Sequence, residues 1–378
     1  MLHFDNLSYW EKETYINHTD LLVVGAGIVG LSTSIHYKER FPSKKVTIVE
    51  RGYLPTGASS KNAGFACIGS PSELLADLKT STEDDVFATV KKRWDGLNYL
   101  RQLLGDSAIH FEELGSYELF SSNEKEKFES CLANLSFLNQ KLAPITHLAK
   151  TFEQDDSICT KNGFNGFTRA IRHAAEGQLN TGKMIAALVH LAQEKGVIIL
   201  NGIEALAIQD QSLETNYGTL QYKQVAICTN GFAKQLLPAE DVNPARAQII
   251  ITKPIENLSL KGIYHFDEGF YYFRNIENRV LFGGGRNMNF AAEQTMHLEN
   301  TAEITDHLTD ILRNQILPTT KVEIDYAWAG TMGVGLKKSP LIKAIQPHVY
   351  CGVRLGGMGV AIGTLVGKEL AEMISVST

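Results

Sequence analysis

The chain has 378 residues, 44% of them hydrophobic, with a formal net charge of -6 at pH 7, enough to bury a large core across about two domains. A mildly acidic chain without a basic block is poorly suited to nucleic acid. No apolar run approaches the roughly 20 residues of a membrane helix, and Met1 to Asn6 lack the basic-then-apolar order of a secretory leader. The five cysteines, Cys67, Cys131, Cys159, Cys228 and Cys351, are scattered and form no CxxC pair. They predict reduced thiols in a cytoplasmic protein, with neither a disulfide framework nor a metal site.

The first predicted element is a strand from Asp20 to Val24, which runs into Gly25-Ala26-Gly27-Ile28-Val29-Gly30 and then a helix. Gly25 permits a tight turn, Gly27 lets backbone N–H groups approach a pyrophosphate, and Gly30 allows the helix to pack closely on the strand. The helix presents its positive end to the phosphates. A second strand ends at Glu50-Arg51, roughly 20 residues past the last glycine, where a carboxylate can accept both hydroxyls of an adenosine ribose. These features specify a dinucleotide site and do not separate NAD from FAD. A second glycine-flanked loop follows, Gly57-Ala58-Ser59-Ser60-Lys61-Asn62-Ala63-Gly64, with Phe65 after it.

Helical spacing of apolar residues predicts helices over Thr82 to Leu104 and about Asn123 to Leu142, both read as core packing. Thr181 to Lys195 is a third helix, closed by Gly196 and followed by the strand Val197 to Leu200, and Gln224 to Cys228 reads as a buried strand. From Ala245 the pattern alternates through Gln248 to Thr252, Phe270 to Arg274 and Arg279 to Phe282, which predicts a mainly antiparallel sheet. A helix from about Thr301 to Gln315 interrupts it, and Gly356-Gly357-Met358-Gly359 opens a last helix, Val360 to Ile374. The expected division is 1–90, 166–240 and 326–378 for the dinucleotide domain, with 91–165 and 241–325 for a substrate domain.

Taken together, Ser8-Tyr9-Trp10, GASSKNAGF at 57–65, Gly177-Gln178-Leu179-Asn180, Val225 to Phe232 with Thr229-Asn230-Gly231, Ala247 to Pro254, Trp328-Ala329-Gly330 and Gly356 to Ala361 resemble FAD-dependent oxidoreductases of the D-amino acid oxidase superfamily. Glycine oxidase, sarcosine oxidase and γ-glutamylputrescine oxidase belong to that group. The resemblance implies an α/β fold: a Rossmann-like FAD-binding domain of the glutathione-reductase type, interleaved with an α+β substrate domain. It implies FAD contacts from Gly25, Gly27, Ile28, Val29, Gly30, Glu50, Arg51, Gly57, Ala58, Ser59, Asn62, Ala63, Gly64, Phe65, Thr229, Asn230, Gly231, Trp328, Gly330, Gly356, Gly357, Met358, Gly359 and Val360. The closing glycine turn and its helix start would stabilise negative charge on the reduced ring.

The implied reaction is hydride transfer from a carbon bearing nitrogen to flavin N5, followed by imine hydrolysis, with no obligatory side-chain base. The arginines with which glycine oxidase-like relatives grip a carboxylate fall on Met332 and Leu355, and the sarcosine oxidase-like lysine falls on Ala361. Tyr272, Arg274 and Arg354 are the substrate-side candidates in their place; alternation puts Tyr272 and Arg274 on one face. His265 reads as structural, and Lys337 and Lys338 as a solvated turn. Trp328 stands where covalent relatives carry the linking cysteine, so FAD is expected to be non-covalent. The expected substrate is a small amine or amino acid, with O2 or a quinone as acceptor. A 2-hydroxy-acid dehydrogenase and a flavin-binding protein without turnover are the alternatives.

Overall fold

The computed structural model describes residues 3–374. Its first sheet runs in the order Leu341–Gln346, Val349–Val353, Gly218–Ile227, Thr19–Val24, Val46–Glu50, Ile198–Asn201. The inner pairings are parallel, and Leu341–Gln346 joins antiparallel at one edge. Thr19–Val24 and Val46–Glu50 are almost wholly buried, as expected of strands covered on both faces. The helices Ile28–Arg40, Glu83–Leu104, Thr181–Glu194 and Gly359–Met373 contribute Leu31, Leu97, Leu188 and Val366 to the core on one face. The hairpin strands Ala205–Gln209 and Ser212–Thr215 extend from Gly218–Ile227 and help close the other.

Helix boundaries follow local chemistry. The Thr82 hydroxyl accepts from the Asp85 N–H at 3.2 Å, and the Asn180 side chain accepts from the Lys183 N–H at 3.0 Å. Both side chains satisfy an N–H that the first turn leaves unpaired. The helix expected over 123–142 spans Lys125–Thr146, and the one expected over 301–315 is α-helical over Ala302–Ile311 before widening into a π-turn at Leu312–Ile316.

The second sheet runs in the order Ile324–Val334, Asn243–Thr252, Arg279–Gly284, Tyr271–Ile276, Ile263–Phe266, Ser116–Ser121, Phe167–His173, Phe152–Gln154. All its pairings are antiparallel except Ile263–Phe266 with Ser116–Ser121. Its membership departs from the expected blocks 91–165 and 241–325. Phe167–His173 and Ile324–Val334 both belong to it, because each finds an antiparallel partner there over most of its length. Leu97 and Leu100, assigned by sequence to the substrate block, pack instead in the core beneath the first sheet. Among the described residues no helix is long and apolar enough to cross a membrane. None of the five cysteines is in a disulfide, and all but Cys67 are buried.

Candidate active site

A cavity of about 580 Å³ runs between the two sheets, within the usual size range for small-molecule sites. Its dinucleotide end is built by the strand ends at Val24, Glu50 and Cys228. The helix Ile28–Arg40 starts there at Gly27, and Gly27, Ile28 and Val29 line the cavity, so its positive end faces it. Glu50 is buried; its carboxylate accepts from the N–H groups of Ala26 at 3.0 Å and Gly52 at 3.1 Å, which holds it beside the glycine turn. The Arg51 guanidinium lies 3.8 Å over the Phe232 ring at the same end.

Three segments are laced together around the middle of the cavity. In the 57–64 loop, the Ser59 hydroxyl accepts from the Ile28 N–H at 3.0 Å, tying that loop to the helix start. Asn62 accepts from the Gly64 N–H at 2.8 Å and the Thr181 hydroxyl at 3.0 Å, while the Trp328 indole donates to the Lys61 carbonyl at 2.9 Å. Asn230 accepts from the N–H groups of Arg354 and Leu355, at 3.1 and 3.2 Å, and so fixes the turn that leads into Gly356. The helix Gly359–Met373 then starts at the cavity with no side-chain cap. Two helix starts, at Gly27 and at Gly359, thus face one cavity.

The residues present fit FAD. The Thr229 and Thr331 hydroxyls are buried on the lining without a hydrogen-bond partner, and buried polar groups in that state call for a ligand. A Cβ at Gly57 or Gly356 would meet nothing within 4 Å, so both open on space. Of the sequence candidates, Gly30, Gly64, Gly231, Trp328 and Arg274 stand off the lining. Gly30 packs on the Gly25 carbonyl, Gly231 on the Met332 carbonyl, and Gly64 against Leu179. They shape the cradle from behind, and Trp328 does so through Lys61.

On the substrate side the lining includes Phe65, Cys67, Glu176, Ile249, His265, Phe270, Tyr272, Arg286, Met332 and Leu355. The Tyr272 ring packs edge-on to Phe65, with centroids 5.4 Å apart, and burial pushes its hydroxyl up to about 12. Arg274 shares that face, as alternation requires, but its guanidinium donates to the Gly64 carbonyl at 3.0 Å; burial lowers it to about 10. It stands off the cavity lining and ties the second sheet to the 57–64 loop, its Nε buried without a partner among the described residues. Arg354 lines the cavity with its charge already neutralised: it pairs with Asp241 at 2.7 Å and donates to the Ser339 carbonyl at 3.1 Å. Sequence reasoning missed Arg286, whose one signal is its position directly after Gly283-Gly284-Gly285 at a strand end. Lys337 and Lys338 are exposed, as a solvated turn requires, and also border the cavity; Lys338 pairs with Asp77 at 2.5 Å.

Behind the substrate side lies a buried ionisable cluster. The Glu176 carboxylate accepts from the N–H groups of Ile68 at 2.6 Å and Gly69 at 3.1 Å and from the Ser116 hydroxyl at 2.5 Å. Burial and the Glu176 charge hold the Cys67 thiol well above its ordinary value, so it is not a thiolate nucleophile. Burial lowers His265, which has no hydrogen-bond partner among the described residues and is therefore neutral near pH 7. Glu118 accepts from the hydroxyl and N–H of Ser72, yet burial outweighs these bonds and raises it to about 7.

A carboxyl raised in the folded state contributes fully below its unfolded value of 4.5 and loses that contribution as pH rises through about 7. Glu118→Gln is accordingly expected to be more stable than the parent at pH 8, by roughly 3 kcal/mol, and equal to it near pH 4. Urea melts at the two pH values check this; an equal difference at both would contradict it.

The family model for FAD dependent oxidoreductase matches residues 20–373. The chain is 24% identical to the probable oxidoreductase OrdL of Haemophilus influenzae, over 96% of this chain and 84% of that protein. It is 21% identical to the γ-glutamylputrescine oxidoreductase of Escherichia coli, over 94% and 83%. The crystal structure of glycine oxidase from Bacillus cereus superposes with a TM-score of 0.75 at 17% identity, covering 94% of each chain, which establishes a shared fold. With the family model spanning nearly the whole chain and a cradle whose helix starts, buried carboxylate and unpartnered hydroxyls suit the cofactor, the chain belongs to the FAD dependent oxidoreductase family.

Proposed function

We propose that the chain oxidises a C–N bond of a small amine or amino acid, the resulting imine being hydrolysed in water. The observation that carries this reading is that one cavity joins the FAD cradle to a largely apolar chamber holding the Tyr272 hydroxyl and the neutral His265 ring. Bound FAD supplies the hydride acceptor. The chain's own part is to orient the substrate C–H, exclude water with Phe65, Ile249 and Met332, and accept hydrogen bonds from the amine. A neutral imidazole on the lining accepts a hydrogen bond from the substrate amine in its neutral form, the form whose lone pair drives C–N oxidation, and the same burial disfavours an ammonium there. Substrate electrons pass on to O2 or a quinone.

The test is product analysis with the purified holoenzyme and an artificial electron acceptor. The expected products are a carbonyl compound and one equivalent of ammonia or primary amine. A 2-oxo acid formed from a 2-hydroxy acid with no nitrogen released would favour alcohol oxidation instead. Retention of FAD rests on hydrogen bonds and helix starts alone. Trp328 occupies the expected linking position, and the 57–64 loop carries no histidine. Acid precipitation is expected to release all the yellow colour; colour retained in the pellet would show a covalent bond.

A further inference from the structure

We propose that Arg286 is a specificity-determining residue that binds the carboxylate of the substrate, so that the preferred substrate is an amine bearing an acidic group. This rests on the C–N oxidation reading above and assigns the recognition chemistry of the same cavity.

Arg286 is half-buried on the cavity lining, and its guanidinium has neither an ion pair nor a hydrogen bond among the described residues. Its one contact of note is the Phe290 ring, 5.0 Å from the guanidinium carbon. The nearest acid in its field, Glu293, is already taken: Arg246 donates to it through Nε at 2.9 Å and Nη2 at 2.6 Å, and Gln248 at 3.1 Å. A sheltered guanidinium without a counter-charge is costly, and its five donors match a carboxylate in bidentate fashion. The other arginines on the lining are engaged. Arg93 is held by Glu73 at 3.2 Å and Arg354 by Asp241 at 2.7 Å, while Arg51 stacks at the dinucleotide end.

The backbone explains how this side chain reaches the cavity. Tyr272 lies opposite Gly283, where a Cβ would come within 2.6 Å of the Tyr272 ring, so glycine there leaves room for the aromatic. Gly284 at φ +134° and Gly285 at φ +78° then turn the chain through conformations that side chains disfavour. The turn delivers Arg286 to the same lining as Tyr272, directly after a strand of the second sheet. Arg286 thereby supplies a cation that Met332 and Leu355 cannot.

The experiment titrates the purified holoenzyme with acetate and benzoate, and with acetamide and benzamide as neutral controls, following the perturbation of the flavin's visible spectrum. The parent is expected to bind the carboxylates saturably. Arg286→Met should weaken that binding roughly 10- to 100-fold, as expected for the loss of hydrogen bonds to a charged group, with the amides unaffected and Arg286→Lys recovering part of the loss. For a carboxylate-bearing amine, KM should rise more than kcat falls. Removing Arg286 breaks no ion pair, so flavin content should hold; should Arg286→Met lose flavin, Arg286→Gln carries the same criterion. Unchanged carboxylate affinity in a flavin-replete variant, or no carboxylate binding by the parent, overturns the assignment. Carboxylate binding that depends on Arg286 without oxidation of any amine would instead remove the catalytic reading and leave this one standing.

Discussion

Gly30→Ala is expected to yield a protein that purifies essentially without flavin. A Cβ at Gly30 would lie 2.0 Å from the Gly25 carbonyl oxygen and 3.1 Å from Val23 Cγ1, and the first of these is backbone that cannot swing aside. Gly25, at φ +103°, holds a conformation side chains disfavour in front of the Cys228 carbonyl, 3.0 Å from where a Cβ would stand, so relief requires opening the turn. That would move the Ala26 N–H away from Glu50 and displace the helix start at Gly27. Overpacking of this kind costs about 3 kcal/mol, and the distortion falls on the segment that meets the pyrophosphate. Gly57→Ala is the informative contrast. Its Cβ meets nothing within 4 Å and Gly57 lines the cavity, so the fold and the melting temperature of the flavin-free protein should be kept while FAD affinity falls, the holoenzyme's melting temperature falling with it. Visible flavin absorbance per mole of protein, with thermal melts, checks both; full flavin in Gly30→Ala would sink this account of the turn.

Glu176→Ala is expected to destabilise the protein by about 4 kcal/mol at pH 7, the cost of breaking a buried charged network on one side. The side chain is 2% exposed, and its removal leaves the Ile68 and Gly69 N–H groups and the Ser116 hydroxyl without an acceptor. Burial alone would raise its carboxyl, but His173, His265, Ser116 and the Ile68 N–H outweigh burial and hold it below 4.5. A carboxyl depressed in the folded state stabilises above the unfolded value of 4.5 and loses that contribution as pH falls through its folded value. The variant should therefore lose most at neutral pH and show a shallower acid limb than the parent. Denaturant melts from pH 7 down to the acid transition decide it, and a variant that melts with the parent throughout would contradict the role assigned to Glu176.

The strand, turn and helix of the first half were legible because such a turn is made by backbone. That requires glycine at particular places, and Gly25, Gly27 and Glu50 can be read one residue at a time. Helix starts were legible for the same reason, since Thr82 and Asn180 act on N–H groups three residues away. Sheet membership was not: Phe167–His173 and Ile324–Val334 carry strand-like residues, but nothing local says which sheet will pair them. The substrate side was legible in kind and not in detail. Alternation put Tyr272 and Arg274 on one face, yet only the fold shows that Arg274 stands off the cavity lining with a bond to the Gly64 carbonyl and that Arg354 pairs with Asp241. Arg286 was hidden because its importance lies in what it lacks, a partner, and that depends on Arg246 having already taken Glu293.

C–N oxidation by bound FAD and the chamber beside it is open to direct measurement. The most direct test is anaerobic bleaching of the holoenzyme's visible flavin absorbance by matched pairs of substrates, each amino or N-alkylamino acid set against its 2-hydroxy counterpart, with simple amines alongside. Rapid bleaching by a nitrogen compound and none by its hydroxy partner is the expected result. Bleaching by the hydroxy acid alone, or no bleaching by any nitrogen compound at full FAD occupancy, would contradict it.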